Sequence, residues 1–269
     1  MQAEQPVRSR SHPLVKRLRS LRERAYHEGG LMLLEGPKLV LEALRSGVEL
    51  VEAAASARAV ERPGGAEALT ALEDNGVPVR LLADDVLEAV SELRTSQGLL
   101  AIGQRPRPEP EALFAGPDPL VVVAVGVQDP GNLGGLLRSA EAAGASGAIL
   151  TTGCADPFSW KALRGSMGSA FRLPLLAGLS PEDALALLRS RGLRLAAAAA
   201  GAPTSYAEAD LRGPLALLVG SEGSGLPEAL ERAADLRLRI PMAGDVESLN
   251  AGVAAGVLLF EAARQRRAP

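Results

Sequence analysis

The sequence predicts an α/β protein in two parts, the second built on a doubly wound parallel sheet. Apolar runs of strand length alternate with helix-period segments through most of the 269 residues. The run PLVVVAVG (119–126) is apolar without alternation, as suits a central parallel strand covered on both faces. Between the parts, RPRPEPEALFAGPDP (Arg105 to Pro119) carries proline at a density that forbids continuous helix or sheet and reads as a semi-rigid linker. A chain of this length can bury two cores. The expected division is a first domain at 1–104, a linker at 105–118 and a second domain at 119–269.

In the first domain, Leu31 to Leu34 reads as a strand, Gly36-Pro37 as a turn, and the next residues as a helix to about Arg45. VELVEAAAS is a strand region, Ala66 to Asn75 a helix, VPVRLL a strand, Asp84 to Leu93 a helix, and SQGLLAIGQ a strand. In the second, PLVVVAVG leads into the helix NLGGLLRSAEAAG, with Asn132 at its expected N-cap and Leu133, Leu136, Leu137 and Ala140 on its buried stripe. GAILTT is a strand, Pro181 to Arg191 a helix, RLAAAAA and PLALLVG strands, PEALERA a short helix, and LRLRIPM a strand. A closing helix is expected to be capped by Ser248 and to bury Leu249, Val253, Val257 and Phe260, spaced i, i+4, i+8, i+11. Its Ala251, Gly252, Ala255 and Gly256 leave a bare face that lets a second backbone approach closely.

Composition narrows the function. No apolar stretch reaches the ~18 residues a membrane span needs, and the N-terminus lacks a signal-peptide core, so a cytoplasmic protein is expected. One cysteine, Cys154, excludes an internal disulfide and a cysteine zinc cage, and two histidines argue against a histidine metal site. Cys154 itself reads as a small buried hydrophobe. The net charge of −3 hides an uneven distribution: Arg8, Arg10, Lys16, Arg17, Arg19, Arg22 and Arg24 face one acid, Glu23, between Val7 and Ala25. That arm is either a phosphate-contacting element or a solvated helix surface. With 3% aromatic residues, a platform that stacks successive bases on tyrosine and phenylalanine is not expected.

Three segments carry chemistry. A helix start offers unpaired N–H groups and a positive dipole end, so the stretch IPMAGDVESLN is a docking point for a polar ligand. Arg138 lies off the buried stripe of its helix, free to grip an anion or to pair with Glu141 at i+3. The loop GSEGSG (Gly220 to Gly225) ends a buried strand. It matches neither the Walker nor the dinucleotide glycine pattern, but it holds Glu222 between glycines at a strand end, where ligands of parallel sheets bind.

NLGGLLR (Asn132 to Arg138), GSEG (Gly220 to Gly223), and IPM with SLN (Ile240 to Met242, Ser248 to Asn250) together resemble the three motifs of the SpoU (TrmH) branch of the SPOUT RNA methyltransferases. KALRGSMGSAFRLPL (Lys161 to Leu175) is similar to a further family stretch, Arg–x–Ser–x–Gly–x–x–x–x–x–Pro, headed by Arg164. The first domain, with LLEGPKLVLEAL and TSQGLLAI, is similar to the family's substrate-binding extension, which resembles RNA-binding ribosomal proteins. The likeness covers nearly the whole chain. It implies a deep trefoil knot in the second domain, a homodimer, S-adenosylmethionine as cofactor, and methyl transfer to a ribose 2′-hydroxyl of RNA. By residue-wise match, Ala198, Gly220, Glu222, Ile240, Met242, Ser248 and Leu249 would hold the cofactor. Arg138, Asn132, Glu222 and Asn250 would form the catalytic set, with Glu222 fixing the arginine. Arg8, Arg10, Lys16, Arg17, Arg19 and Arg164 would contact RNA. Two departures stand out: AYHEGG (Ala25 to Gly30) where relatives often carry a basic residue, and alanine at 198 where threonine is common. The two-domain layout favours ribosomal RNA over tRNA. A non-catalytic RNA-binding or ribosome-assembly factor on the same fold is the alternative from another class. A dinucleotide oxidoreductase lacks the glycine turn and acid it would need.

Overall fold

A computed structural model of the chain describes residues 5–23, 30–93, 95–244 and 246–267. Arg24, residues 25–29 of the AYHEGG segment and Asp245 lie outside the described residues. The chain divides into two compact units, residues 1–106 with 158–171, and residues 107–157 with 172–269. This differs from the division expected at 1–104, 105–118 and 119–269. Residues 158–171 fold with the first unit, and residues 107–118 with the second.

The first unit begins with α1 (Pro13–Glu23), β1 (Leu31–Glu35), α2 (Pro37–Arg45), β2 (Leu50–Ala55), α3 (Gly65–Asp74), β3 (Val79–Leu81), α4 (Asp84–Glu88) and β4 (Leu99–Gln104). The strands form a mixed sheet in the order β1-β4-β2-β3. Only β2 and β3 run parallel, because β4 returns between β1 and β2. The basic arm is anchored: Leu14, Val15 and Leu18 of α1 are buried with Leu33, Val86 and Ile102, and Val7 pairs with the chain at Leu81 to Ala83. α4 is shorter than expected and ends at Glu88. Glu35, at the end of β1, is buried, and burial pushes its carboxyl up, opposed by hydrogen bonds from the Ser91 hydroxyl and the Glu92 N–H.

The second unit continues with β5 (Leu120–Ala124), α5 (Pro130–Ala143) and β6 (Gly147–Thr151). The chain then gives α6 (Trp160–Ser166) and α7 (Ser169–Arg172), which the sequence reading did not anticipate. It goes on through β7 (Leu175–Leu179), α8 (Pro181–Ser190), β8 (Arg194–Ala198), β9 (Thr204–Ser205), β10 (Leu215–Val219), α9 (Glu228–Ala233), β11 (Leu236–Arg239) and α10 (Ala251–Arg267). Seven strands, all parallel, lie in the order β7-β6-β5-β10-β8-β11-β9. Val121, Val123, Leu195, Ala216 and Leu218 meet Leu188 of α8 and Leu230 of α9 in one core. The alternate residues Val122 and Leu217 are buried as well, so both faces are covered. The proline-rich linker is not wholly extended: Pro110–Phe114 form a turn of 3₁₀ helix whose Leu113 is fully buried. Gly147 makes room for it, since a Cβ there would lie 2.7 Å from the Leu113 side chain. No helix among the described residues is long and apolar enough to cross a membrane.

Two expectations for α10 are overturned. Its N-cap is Asn250, whose Oδ1 accepts from the N–H groups of Gly252 (2.9 Å) and Val253 (3.3 Å); Ser248 lies in the preceding loop. The buried face is the bare one. Ala251, Gly252, Ala255, Leu258, Leu259, Ala262 and Ala263 are buried, whereas Val253 and Phe260 are 53% and 51% exposed and Leu249 and Val257 half-buried. The reason is close approach: a Cβ on Gly252 would sit 3.0 Å from the Asn132 carbonyl oxygen of α5. Small residues let the two helix backbones meet, and larger apolar ones on that side would hold them apart.

Candidate active site

The carboxyl ends of β8, β10 and β11 open into a cavity of about 500 Å³, within the ~300–1,000 Å³ range of small-ligand sites. All seven expected cofactor positions line it: Ala198, Gly220, Glu222, Ile240, Met242, Ser248 and Leu249. β11 stops at Arg239, short of the strand expected to Met242, and this early end frees residues 240–242 to bend into the cavity wall. Sequence reasoning missed three charged lining residues, Glu231 on α9, Arg239 on β11 and Glu247 in the loop before α10. Arg239 donates to the carbonyls of Ala202 (3.0 Å) and Pro203, which pins the chain after β8. Nothing in the local pattern sets these three apart from other surface charges.

The loop after β10 is tight because Gly225 donates to the Ser221 carbonyl (2.9 Å) and adopts φ +65°. Gly220 is packed against that turn, and a Cβ there would lie 2.2 Å from the Gly225 carbonyl carbon. A side chain at 220 therefore has no room, and the backbone lies bare at the cavity wall. The enclosed volume, backbone-rich wall and mixed polar and apolar lining fit a nucleoside-bearing cofactor.

At the cavity rim, three motifs far apart in sequence are joined by hydrogen bonds. Asn132 Nδ2 donates to Glu222 Oε1, and Asn250 Nδ2 donates to Asn132 Oδ1 at 2.8 Å. Glu222 also lies 3.4 Å from the Ala251 N–H at the start of α10, where a carboxylate complements the helix dipole. Each partner is thereby oriented by another. Asn132 is not the N-cap of α5; the cap is Asp129, whose carboxylate accepts from the Asn132 N–H at 2.9 Å, and the helix starts at Pro130. This places Asn132 in the first turn, where its side chain is released to reach Glu222.

Arg138 stands outside this network. It is exposed on α5, ~9 Å along the axis from Asn132 at 1.5 Å per residue. The expectation that Glu222 fixes this arginine is not met, since Glu222 is turned toward Asn132. Nor does Arg138 take Glu141, which Arg172 binds through both carboxylate oxygens at 2.5 and 2.9 Å. Of the expected RNA-contacting residues, Arg8, Arg10 and Lys16 are exposed and Arg19 is half-buried. Arg17 is 3.6 Å from Glu52, and Arg164 lies over the Trp160 ring at 4.9 Å. Cys154 lies off the cavity lining; burial pushes its thiol up, and its Sγ lies 3.2 Å from the Ala124 carbonyl oxygen, so it is not an activated nucleophile.

A parallel α/β sheet with a cofactor-sized cavity at its strand ends, rimmed by a polar network, defines a ligand-binding protein of the α/β class. Residues 119–260 match the SpoU rRNA methylase family and residues 12–101 an MRM3-like substrate-binding domain. The chain belongs to the SpoU rRNA methylase family. It is 34% identical, over 91% of its length and 92% of the relative's, to the 23S rRNA (guanosine(2553)-2′-O)-methyltransferase of Bacillus subtilis. Among solved structures it is similar to an RNA 2′-O ribose methyltransferase, with 35% identity, 97% and 99% of the two chains covered, and TM-score 0.83. It is also similar to an AdoMet-bound rRNA methyltransferase from Sinorhizobium meliloti, with 32% identity, 97% of each chain covered, and TM-score 0.84. Membership agrees with the RNA methyltransferase that the motifs implied.

Proposed function

We propose that the protein transfers a methyl group from S-adenosylmethionine to a ribose 2′-hydroxyl of ribosomal RNA. The observation that carries this reading is the Asn132–Glu222–Asn250 network at the rim of the cavity, lined by every residue the motif match assigned to the cofactor. S-adenosylmethionine, when bound, supplies an electrophilic methyl group. The chain supplies the rest: Ala198, Gly220, Ile240, Met242, Ser248 and Leu249 hold the donor, and Glu222 keeps Asn132 turned toward the rim. Asn250 steadies Asn132 from the other side. Arg138 contacts the 2′-hydroxyl and the adjacent phosphate, and its guanidinium stabilises negative charge developing on the hydroxyl oxygen as the proton leaves. A guanidinium stays protonated at ordinary pH, so electrostatic stabilisation suits it better than proton abstraction.

The first unit, with Arg8, Arg10, Lys16, Arg17, Arg19 and Arg164, serves as the RNA-binding part, in the manner of RNA-binding ribosomal proteins. In the second unit, the crossings around β10 and the packing of α10 on α5 support the trefoil knot implied by the motifs. The enzyme acts in the cytoplasm as a homodimer. Its contact is not the bare Gly/Ala face, which α5 occupies, but the face with Val253, Val257 and Phe260. Phe260→Asp should convert a dimer to a monomer in light scattering at micromolar concentration; a wild-type monomer would sink this assignment.

Mapping 2′-O-methylated sites in total RNA from a deletion strain tests the activity. One ribosomal RNA site should vanish and return with the wild-type gene. Loss of a tRNA site would move the substrate to tRNA, and an unchanged map, with no tritiated methyl transferred to RNA by the purified protein, would overturn the enzyme reading.

A further inference from the structure

A second cavity, of about 220 Å³, lies wholly within the first unit. It is lined by Glu35, Lys38, Leu39 and Glu42 from β1 and α2, by Leu93 and Gln97 from the chain before β4, and by Leu163, Arg164 and Met167 from the α6 segment. The volume, below the ~300–1,000 Å³ of sites for drug-sized ligands, suits a smaller group. Its chemistry is layered. Leu39, Leu93, Leu163 and Met167 give apolar walls, and Glu42 and Gln97 give oxygen acceptors beside Glu35, whose own two oxygens accept from Ser91 and the Glu92 N–H; Lys38 and Arg164 are exposed cations among the lining residues.

Met167 is the telling residue. It ends α6 in the left-handed region at φ +50°, the only non-glycine residue with positive φ among those described. That position usually belongs to glycine, because a Cβ there costs ~1–2 kcal/mol. Its N–H closes the helix onto the Leu163 carbonyl (3.1 Å), a bond glycine would make equally well, and its side chain is 36% exposed rather than packed in a core. Local structure thus pays for a methionine whose side chain lines an open cavity. Beside it, stacking on Trp160 holds the Arg164 guanidinium, the geometry in which an arginine plane can support a base or grip a phosphate.

We propose that this cavity is a subsite for one unpaired guanine of the RNA substrate, its ring between the Met167 and leucine walls and its N–H edge facing the Glu42 and Gln97 acceptors. Lys38 and Arg164 take the flanking phosphates. The inference rests on the RNA-binding role proposed for the first unit. It adds that this unit selects an unstacked base, so that recognition lies apart from the methyl-transfer cavity.

The test uses the full-length protein and two RNA hairpins that differ at one bulged position, guanine in one and an abasic ribose in the other. Wild-type protein should bind the guanine hairpin about tenfold more tightly, within what stacking one base on a protein surface is worth. Met167→Gly and Gln97→Ala should each bring the two affinities together. Met167→Gly should also melt no lower than wild type, since glycine suits the backbone better; a methionine with a merely structural role would lower the melting temperature instead. Equal wild-type affinity for the two hairpins, or a preference that survives both substitutions, overturns the subsite. Methyl transfer to ribosomal RNA from the deletion strain is measured in parallel. Its absence counts against the enzyme reading alone, and its presence with no base preference counts against the subsite alone.

Discussion

Arg138→Lys should lower the rate of methyl transfer about 10²–10³-fold, the scale for removing one group that stabilises developing charge, while S-adenosylmethionine affinity stays at the wild-type value. Arg138 lies on the outer side of α5, off the cavity lining, so no cofactor contact is lost. Lysine keeps the charge but loses the planar fork that reaches a hydroxyl and a phosphate together. The fold should be unaffected, because Glu141, the nearest acid on the helix, is already held by Arg172. Single-turnover transfer of a tritiated methyl group, beside calorimetric titration of the cofactor, separates the two effects. Near-wild-type turnover with unchanged RNA binding would show that a point charge suffices and remove Arg138 from the role assigned to it.

Gly220→Ala should have the opposite signature, with the cofactor site lost first. The added methyl would lie 2.2 Å from the Gly225 carbonyl carbon and oxygen and 2.5 Å from the Leu226 nitrogen. These are backbone atoms of a turn closed by the Gly225–Ser221 hydrogen bond, so the loop must shift as a whole. Ser221, Glu222 and Leu226 of that loop line the cavity, and Glu222 carries the hydrogen bond to Asn132. S-adenosylmethionine affinity should fall by about 100-fold or more, and the melting temperature should drop as for a strained core substitution of ~1–3 kcal/mol. Gly223→Ala is the internal control: a Cβ there meets nothing within 4 Å, and its binding should stay within a few-fold of wild type. Equal behaviour of the two variants would show that loop composition, not the close approach at 220, sets affinity.

Much of the second unit was legible because its signals are local. The unbroken apolar run at β5, the strand at β10 and the buried stripe of α5 follow from periodicity and from the covering of a parallel sheet on both faces. Motif order also picked out residues of one cavity wall: the seven positions expected to hold a cofactor all line it. The caps were misread by a few residues. Asp129 and Asn250 are as good cap formers as Asn132 and Ser248, and a sequence that offers two such residues does not say which one the backbone uses. The inward face of α10 was misread for a deeper reason. Volume alone favours burying Val253 and Phe260, but α5 passes so close at Gly252 that even a Cβ there would sit 3.0 Å from the Asn132 carbonyl oxygen.

By itself, then, the sequence determined the two α/β parts, the parallel sheet, the motif residues and the chemistry they imply. These depend on local periodicity and on residue types that are informative one by one. Only the tertiary structure decided that Glu222 holds Asn132 and not Arg138, that residues 158–171 join the first unit, and which face of α10 stays exposed. Each of those outcomes depends on distances between segments far apart in the chain, such as the 90 residues between Asn132 and Glu222. Such distances are set by the packing of backbones against one another, which no local pattern of side chains records.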